Sequence, residues 1–145
     1  MELRNLLEDK GFVRIPLKRL VSTHYLVRTK IHDKEARLIL DTGASTTCVD
    51  INMAIHFDII HEKSDIMAAG AGALGMKTQI SHKNELQIGS WKDRNVGMVL
   101  FDLSHINIAL QEVGEKAVDG ILGADFLKKH RAVIDYGRNC LYLKD

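Results

Sequence analysis

Proline is nearly missing from this chain: Pro16 is the only one in 145 residues. With no proline-rich or low-complexity stretch there is no linker to divide the sequence, and its length suits one domain with a genuine core. Cysteine is almost as scarce. Cys48 and Cys140 cannot build a disulfide framework, and their apolar surroundings mark them as free thiols of the core. No sign of charge dominates, since 20 Lys and Arg stand against 19 Asp and Glu. That balance leaves no electrostatic footprint for nucleic acid, and the one basic cluster, Arg14 with Lys18 and Arg19, reads as a solvated strand face. No apolar run approaches the ~20 residues of a membrane-spanning helix, so no membrane partner is expected. Glu2, Glu8 and Asp9 stand where a signal peptide would carry its apolar core, and the expected location is cytoplasmic. The histidines lack metal-ligand spacing: His56 and His61 are five apart, outside any H-E-x-x-H pattern, and read as surface residues. No metal and no cofactor are expected.

What the chain does have is a series of short apolar runs broken by turns. Residues 1–10 can form a short amphipathic helix with Leu3, Leu6 and Leu7 on one face. Phe12 to Leu17 alternates like a strand, and Pro16 assigns it to a sheet edge. Tyr25 to Ile31 and Ala36 to Leu40 read as the arms of a hairpin turning through His32-Asp33-Lys34-Glu35. Thr46 to Asp50 continues as a strand, and Ile51 to Phe57 as a short helix. Met76 to Ile80 and Glu85 to Ile88 are strand-like, and Trp91 to Leu103 reads as two further strand pieces. Ala124 to His130 is the one well-signalled helix near the C-terminus, and Val133 to Asp135 with Cys140 to Leu143 close the sheet. Many short strands with little helix predict an all-β, barrel-like domain.

Two motifs carry chemistry. The first is Asp41-Thr42-Gly43, directly behind the run Ala36 to Leu40 and followed by Ala44-Ser45. A carboxylate at the end of a buried strand can act as a general base on water, but an Asp that merely closes a turn has the same local sequence. The second motif is Ile121-Leu122-Gly123, followed by Asp125-Phe126-Leu127 and then Ile134-Asp135-Tyr136. Asp125 opens its helix as a cap or first-turn acid. A glycine-rich run, Gly70-Ala71-Gly72-Ala73-Leu74-Gly75, lies between the two motifs. It formally fits G-x-G-x-x-G, yet no buried strand leads into it and no helix follows, so it does not read as a dinucleotide site.

In this order and at this distance the two motifs resemble the retropepsin-like aspartic proteases, over roughly residues 20–143. The resemblance implies a single domain over residues 1–145, with 1–11 as an N-terminal extension. Its fold would be a closed all-β barrel with one short C-terminal helix and a glycine-rich flap hairpin. It also implies an aspartic endopeptidase, with Asp41 as the catalytic carboxylate and no covalent intermediate. Gly43 would permit the sharp turn, Thr42 would bond across a dimer axis, and Ile121, Leu122 and Gly123 would lie beneath the loop. Gly70, Ala71, Gly72, Ala73, Leu74 and Gly75 would form the flap over a peptide or protein substrate.

The mechanism needs two such loops and the chain has one, so the expected assembly is a homodimer that pairs Asp41 with its own copy. In the family the terminal strands build much of the interface, which implies that losing Leu141 to Asp145 weakens dimerisation more than folding. Retroviral members carry an Arg after the glycine of the second motif; Ala124 stands there in this chain, and the viral interface does not transfer in detail. Two other readings compete. One is a non-catalytic dimerisation or peptide-binding module on the same fold. The other is a cysteine hydrolase acting through Cys48.

Overall fold

The computed structural model describes residues 1–68 and 76–144. Helix α1 (Leu3–Asp9) leads into strands β1 (Phe12–Pro16), β2 (Lys18–Arg19), β3 (Tyr25–Ile31), β4 (Lys34–Leu40) and β5 (Cys48–Asp50). Strands β6 (Glu62–Ala68), β7 (Met76–Ile88) and β8 (Trp91–Phe101) precede helix α2 (Ser104–Glu112). Strand β9 (Gly120–Leu122), helix α3 (Ala124–Lys129), β10 (Val133–Asp135) and β11 (Cys140–Lys144) complete the chain.

Strands β3, β4, β9, β5, β8 and β7 pair in that order, and β7 pairs back onto β3, closing a six-stranded mixed barrel. Closure removes the exposed edges an open sheet would leave. The pairs β4–β9 and β5–β8 are parallel, while β5–β9 is antiparallel. This arrangement packs the short strand Gly120–Leu122 between the two strands that flank the Asp-Thr-Gly turn. Gly120 is required there, because a Cβ would lie 2.3 Å from the carbonyl oxygen of Cys48.

Period-two alternation holds where one face of a strand meets the core. In β3, Val27, Thr29 and Ile31 are buried while Arg28 and Lys30 are exposed. The β3–β4 turn is tighter than the sequence predicts. His32 and Asp33, both at positive φ, make a two-residue connection, and β4 already starts at Lys34. The four strand pieces expected between residues 76 and 103 are two long strands, β7 and β8. The polar stretch His82-Lys83-Asn84 makes an irregularity inside β7 rather than a loop, with Lys83 at φ +58° and a register shift between Ser81 and Asn84. Asn84 is buried there, its amide donating to the Val96 carbonyl and to Ser81 Oγ. The helix expected over Ile51 to Phe57 is a single 3₁₀ turn, Ile51–Met53, capped by the Asp50 carboxylate.

The C-terminal strands do not close the barrel. They form a second sheet in the order β1–β11–β10, with β1 at an edge as Pro16 requires. Strand β11 is covered on both faces. Leu141 and Leu143 point into the main core with Val27, Leu38, Leu122 and Phe126, whereas Cys140 and Tyr142 meet Leu7 of α1 and Phe12. Of the three α1 leucines only Leu7 is buried. Helix α2 is absent from the sequence expectation. Strands β6 and β7 pair antiparallel on either side of residues 69–75. The expected flap residues Gly70, Ala71, Gly72, Ala73, Leu74 and Gly75 lie outside the described residues.

Candidate active site

The Asp-Thr-Gly turn grows directly from the barrel. Strand β4 runs parallel to β9 with Leu40 beside Leu122, and the Asp41 N–H continues this ladder by donating to the Leu122 carbonyl at 3.1 Å. The chain then reverses. The Ala44 N–H donates to the Asp41 carbonyl at 3.2 Å, and the Gly43 N–H donates to Asp41 Oδ1 at 2.9 Å. That second bond anchors the carboxylate by a local Asx-type turn. A Cβ at Gly43 would sit 3.2 Å from the same oxygen, which crowds any larger residue. Asp41 is half-buried, while Thr42 and Gly43 stand exposed at the tip.

The second motif holds the far side of the turn. The Ala124 N–H donates to the Ala44 carbonyl at 2.7 Å and the Asp125 N–H to that of Ser45 at 3.3 Å. A Cβ on Gly123 would come within 2.7 Å of the Thr46 carbonyl carbon and 2.9 Å of the Ala44 oxygen, so only glycine permits this approach. The Ile121 and Leu122 side chains part company, as neighbours on a strand must. Ile121 packs with Ala44 and Cys48 behind the turn, and Leu122 enters the main core.

Thr47 is the residue that sequence reasoning missed. Fully buried, its hydroxyl donates to Asp125 Oδ1 at 2.8 Å and accepts from the Gly123 N–H at 3.0 Å, while its own N–H donates to the same carboxylate oxygen at 2.9 Å. Asp125 stands in the first turn of α3, but Gly123 occupies the cap position, and the carboxylate spans to the catalytic-loop side instead. One clamp thus joins the two motifs. Strand alternation gave no hint of it, because residues 47–50 are buried in an unbroken run.

Asp41 faces a cavity of about 430 Å³. Ile39 and Ile121 line it with the carboxylate, together with Ser22 and His24 from the loop before β3 and Ile106, Ala109 and Leu110 of α2. His24 Nδ1 lies 2.9 Å from Ser22 Oγ. Helix α2 was legible in principle. Asp102 and Ser104 form a start signal, Ile106, Ala109, Leu110 and Val113 recur at helical spacing, and Gly114 at φ +81° ends it. The Asp102 carboxylate accepts from the Ser104 N–H at 2.9 Å and from its hydroxyl, and these bonds hold its pKa below the usual carboxylate range.

The other carboxylates near the sheet are committed to structure. Asp119 Oδ2 accepts from the Arg37 N–H at 2.8 Å, and burial pushes its pKa up despite that bond. The buried Asp50 accepts from the Asn52 N–H and side-chain amide. The thiols are free and buried, and burial pushes Cys48 up to about 12. A thiol neutral at all physiological pH values is not a nucleophile, which argues against the cysteine-hydrolase reading. Among the described residues no group of three or more His, Cys, Asp or Glu is placed to hold a metal ion.

A family model described as aspartyl protease matches residues 27–126. No curated protein matches the chain by sequence. Similar solved structures include a retropepsin-like aspartic protease from Rickettsia conorii, with a TM-score of 0.58 and 16% identity over 92% of this chain and 88% of that one. The retroviral protease-like domain of Ddi1 from Leishmania major superposes with a TM-score of 0.55 at 17% identity, over 83% of this chain and 87% of the other. The EIAV protease in complex with the inhibitor HBY-793 gives 0.56 at 18% identity, over 81% and 92% respectively.

Proposed function

The chain belongs to the aspartyl protease family with a retropepsin-like fold, and from that premise we propose that it is an aspartic endopeptidase whose two catalytic carboxylates are the Asp41 side chains of two identical chains. The observation that carries this reading is Asp41 itself, held on a strand end by Leu122 and Gly43 and turned towards a cavity large enough for a substrate side chain. The need for a second chain rests on the sequence holding a single Asp-Thr-Gly loop. Asp50, Asp119 and Asp125 are each occupied by backbone or side-chain donors of the fold. The exposed tip, Thr42-Gly43, is accessible to a second copy of the same loop.

In this reading the pair shares one proton, because two like carboxylates a few ångströms apart resist double ionisation. The ionised member takes a proton from a water poised between them as that water attacks the scissile carbonyl. The protonated member donates to the carbonyl oxygen and stabilises the developing negative charge. Collapse of the tetrahedral intermediate sends a proton to the departing amine and returns the pair to its starting state. No covalent intermediate forms and no cofactor takes part.

The test is a peptide-library digest by the wild type beside Asp41→Asn. That substitution removes an ionisable group at nearly constant shape, so turnover should vanish while the melting temperature stays within a few degrees. Cleavage retained by the purified variant would refute the assignment. A folded, dimeric wild type without turnover would instead favour a non-catalytic peptide-binding module. Activity per chain should also fall on dilution in step with dissociation measured by light scattering.

A further inference from the structure

Arg14, Lys18 and Arg19 read from the sequence as a solvated strand face, and the fold changes that reading by bringing in cations from elsewhere. Strand β2 pairs with β3 at Tyr25 and Leu26, and β7 meets β3 at Lys30 and Ile31. Between them, Val27, Arg28 and Thr29 have no strand partner on that side among the described residues. A cavity of about 330 Å³ opens there, lined by Arg28 together with Arg14 and Lys18. No acid lines it, and the buried Ile15, Leu17 and Leu26 supply its apolar surface. Arg19 is not part of it.

Arg28 and Gly89 also line an adjoining cavity of about 630 Å³ beside the β3–β4 pair, where Lys30 and Arg37 join them. Arg28 and Arg37 stand directly opposite each other across the ladder, an arrangement in which like charges repel. Arg37 has partners: its Nε donates to the Ala117 carbonyl at 3.1 Å and its guanidinium lies 4.0 Å from Glu115. Arg14 is half-buried beside the Tyr142 hydroxyl. Lys18, Arg28 and Lys30 are exposed and form no hydrogen bond or ion pair among the described residues. The second cavity holds two acids. Asp119 is bonded to the Arg37 N–H, and Glu35 faces Lys30 in the register without pairing with it.

We propose that this opening is a docking groove for an extended acidic segment of a partner protein, one that carries an apolar side chain two positions from its first carboxylate. The spacing supports it. Arg28 and Lys30 recur on one face of β3 about 7 Å apart, and Lys18 pairs with Leu26, one such step earlier. An extended peptide presents alternate side chains at the same interval, so two carboxylates meet Arg28 and Lys30 while the apolar side chain covers Ile15, Leu17 and Leu26. Nucleic acid fits less well. Glu35 and Asp119 oppose a continuous row of phosphates, and no aromatic residue lines either cavity to stack a base. The groove shares no lining residue with the cavity at Asp41, so docking here is independent of turnover.

The experiment titrates the isotope-labelled full chain, as Asp41→Asn so that no probe is cut, and follows amide NMR shifts. The probe is the peptide acetyl-Ser-Leu-Ser-Glu-Ser-Glu-Ser-amide, beside matched peptides with Gln for both Glu or Ser for Leu. The Glu peptide should shift amides of Val27 to Lys30 and bind more tightly than either matched peptide. Raising NaCl from about 50 to about 500 mM should weaken it, since the contacts are exposed. Arg28→Gln should lower affinity about two- to fivefold, the range of an exposed ion pair, and the triple variant with Lys18→Gln and Lys30→Gln at least about tenfold. Equal affinity for the Glu and Gln peptides would overturn the proposal, and that comparison needs no variant to fold. So would wild-type affinity in a folded triple variant, shifts confined to other parts of the chain, or no titration up to about 1 mM peptide. An oligothymidylate that shifts the same amides at lower concentration than the peptide would overturn the peptide assignment in favour of nucleic acid.

Discussion

Removing residues 141–145 separates two roles for the last strand. In the retropepsin pattern the terminal strands serve mainly the dimer, and their loss should leave a folded monomer. Here β11 is the central strand of its sheet, and Leu141, Tyr142 and Leu143 are buried to within 1% of complete. Burying such side chains stabilises by roughly 1.5–3 kcal/mol each, taken as an upper estimate because denatured chains are already partly compact. The deletion also takes away the Lys144 carbonyl, which accepts from Trp91 Nε1 at 3.1 Å, and a buried donor left without a partner costs about 1–3 kcal/mol. Together these losses reach about 5.5–12 kcal/mol as an upper estimate, comparable with the roughly 5–15 kcal/mol that holds a typical domain folded. The truncated chain should therefore lose its cooperative thermal transition in circular dichroism and its dispersed amide NMR spectrum at every protein concentration. A truncated protein that sediments as a monomer and still melts cooperatively would refute this reasoning and restore the interface role.

Thr47→Val keeps the shape of the clamp but leaves the Gly123 N–H and the Asp125 carboxylate without their shared hydroxyl. It should cost about 2–3 kcal/mol, a fall of roughly 4–12 °C in melting temperature, and an unchanged midpoint would count against the clamp. His130 packs against both Trp91 and Phe126, and its Nε2 comes within 3.3 Å of Asp93 Oδ2 without forming a hydrogen bond. Burial lowers its pKa, with Asp93 only partly offsetting this. The unfolded state then binds more protons just below the ordinary histidine value of about 6.5, so this part of the stability is present above that value and fades as pH falls through the depressed folded pKa. Denaturant midpoints measured from pH 7 to pH 5 should drop less in His130→Phe than in the wild type, and equal slopes would exclude the histidine. Cys48, pushed up to about 12, should resist iodoacetamide at pH 8 in the folded protein, and mass spectrometry finding stoichiometric modification of folded chains would contradict its burial.

Local chemistry was readable from the residues alone wherever neighbours in sequence are also neighbours in space. The apolar run into Asp41-Thr42-Gly43, the β3–β4 hairpin and the edge position of β1 all depend on strand alternation, turn propensity or the missing N–H of Pro16. The glycines of the two motifs stand out in the sequence, but the reason for Gly123 does not. It lies in the Thr46 backbone, which passes within 2.7 Å of the place a Cβ would occupy.

Tertiary structure alone decided what spans long stretches of chain. The clamp joins Thr47 to Asp125 across 78 positions, and nothing local to either residue names the other. The run Cys140 to Leu143 reads as a strand from its own residues. An apolar strand carries no mark of which sheet it will join, so only packing put it in the middle of a second sheet, covered by the barrel core on one face and by α1 on the other. The face of α2 behaves in the same way. Helical spacing defines the stripe, but the barrel bearing Ile39, Asp41 and Ile121 determines which part is buried and which part is left lining the cavity beside the carboxylate.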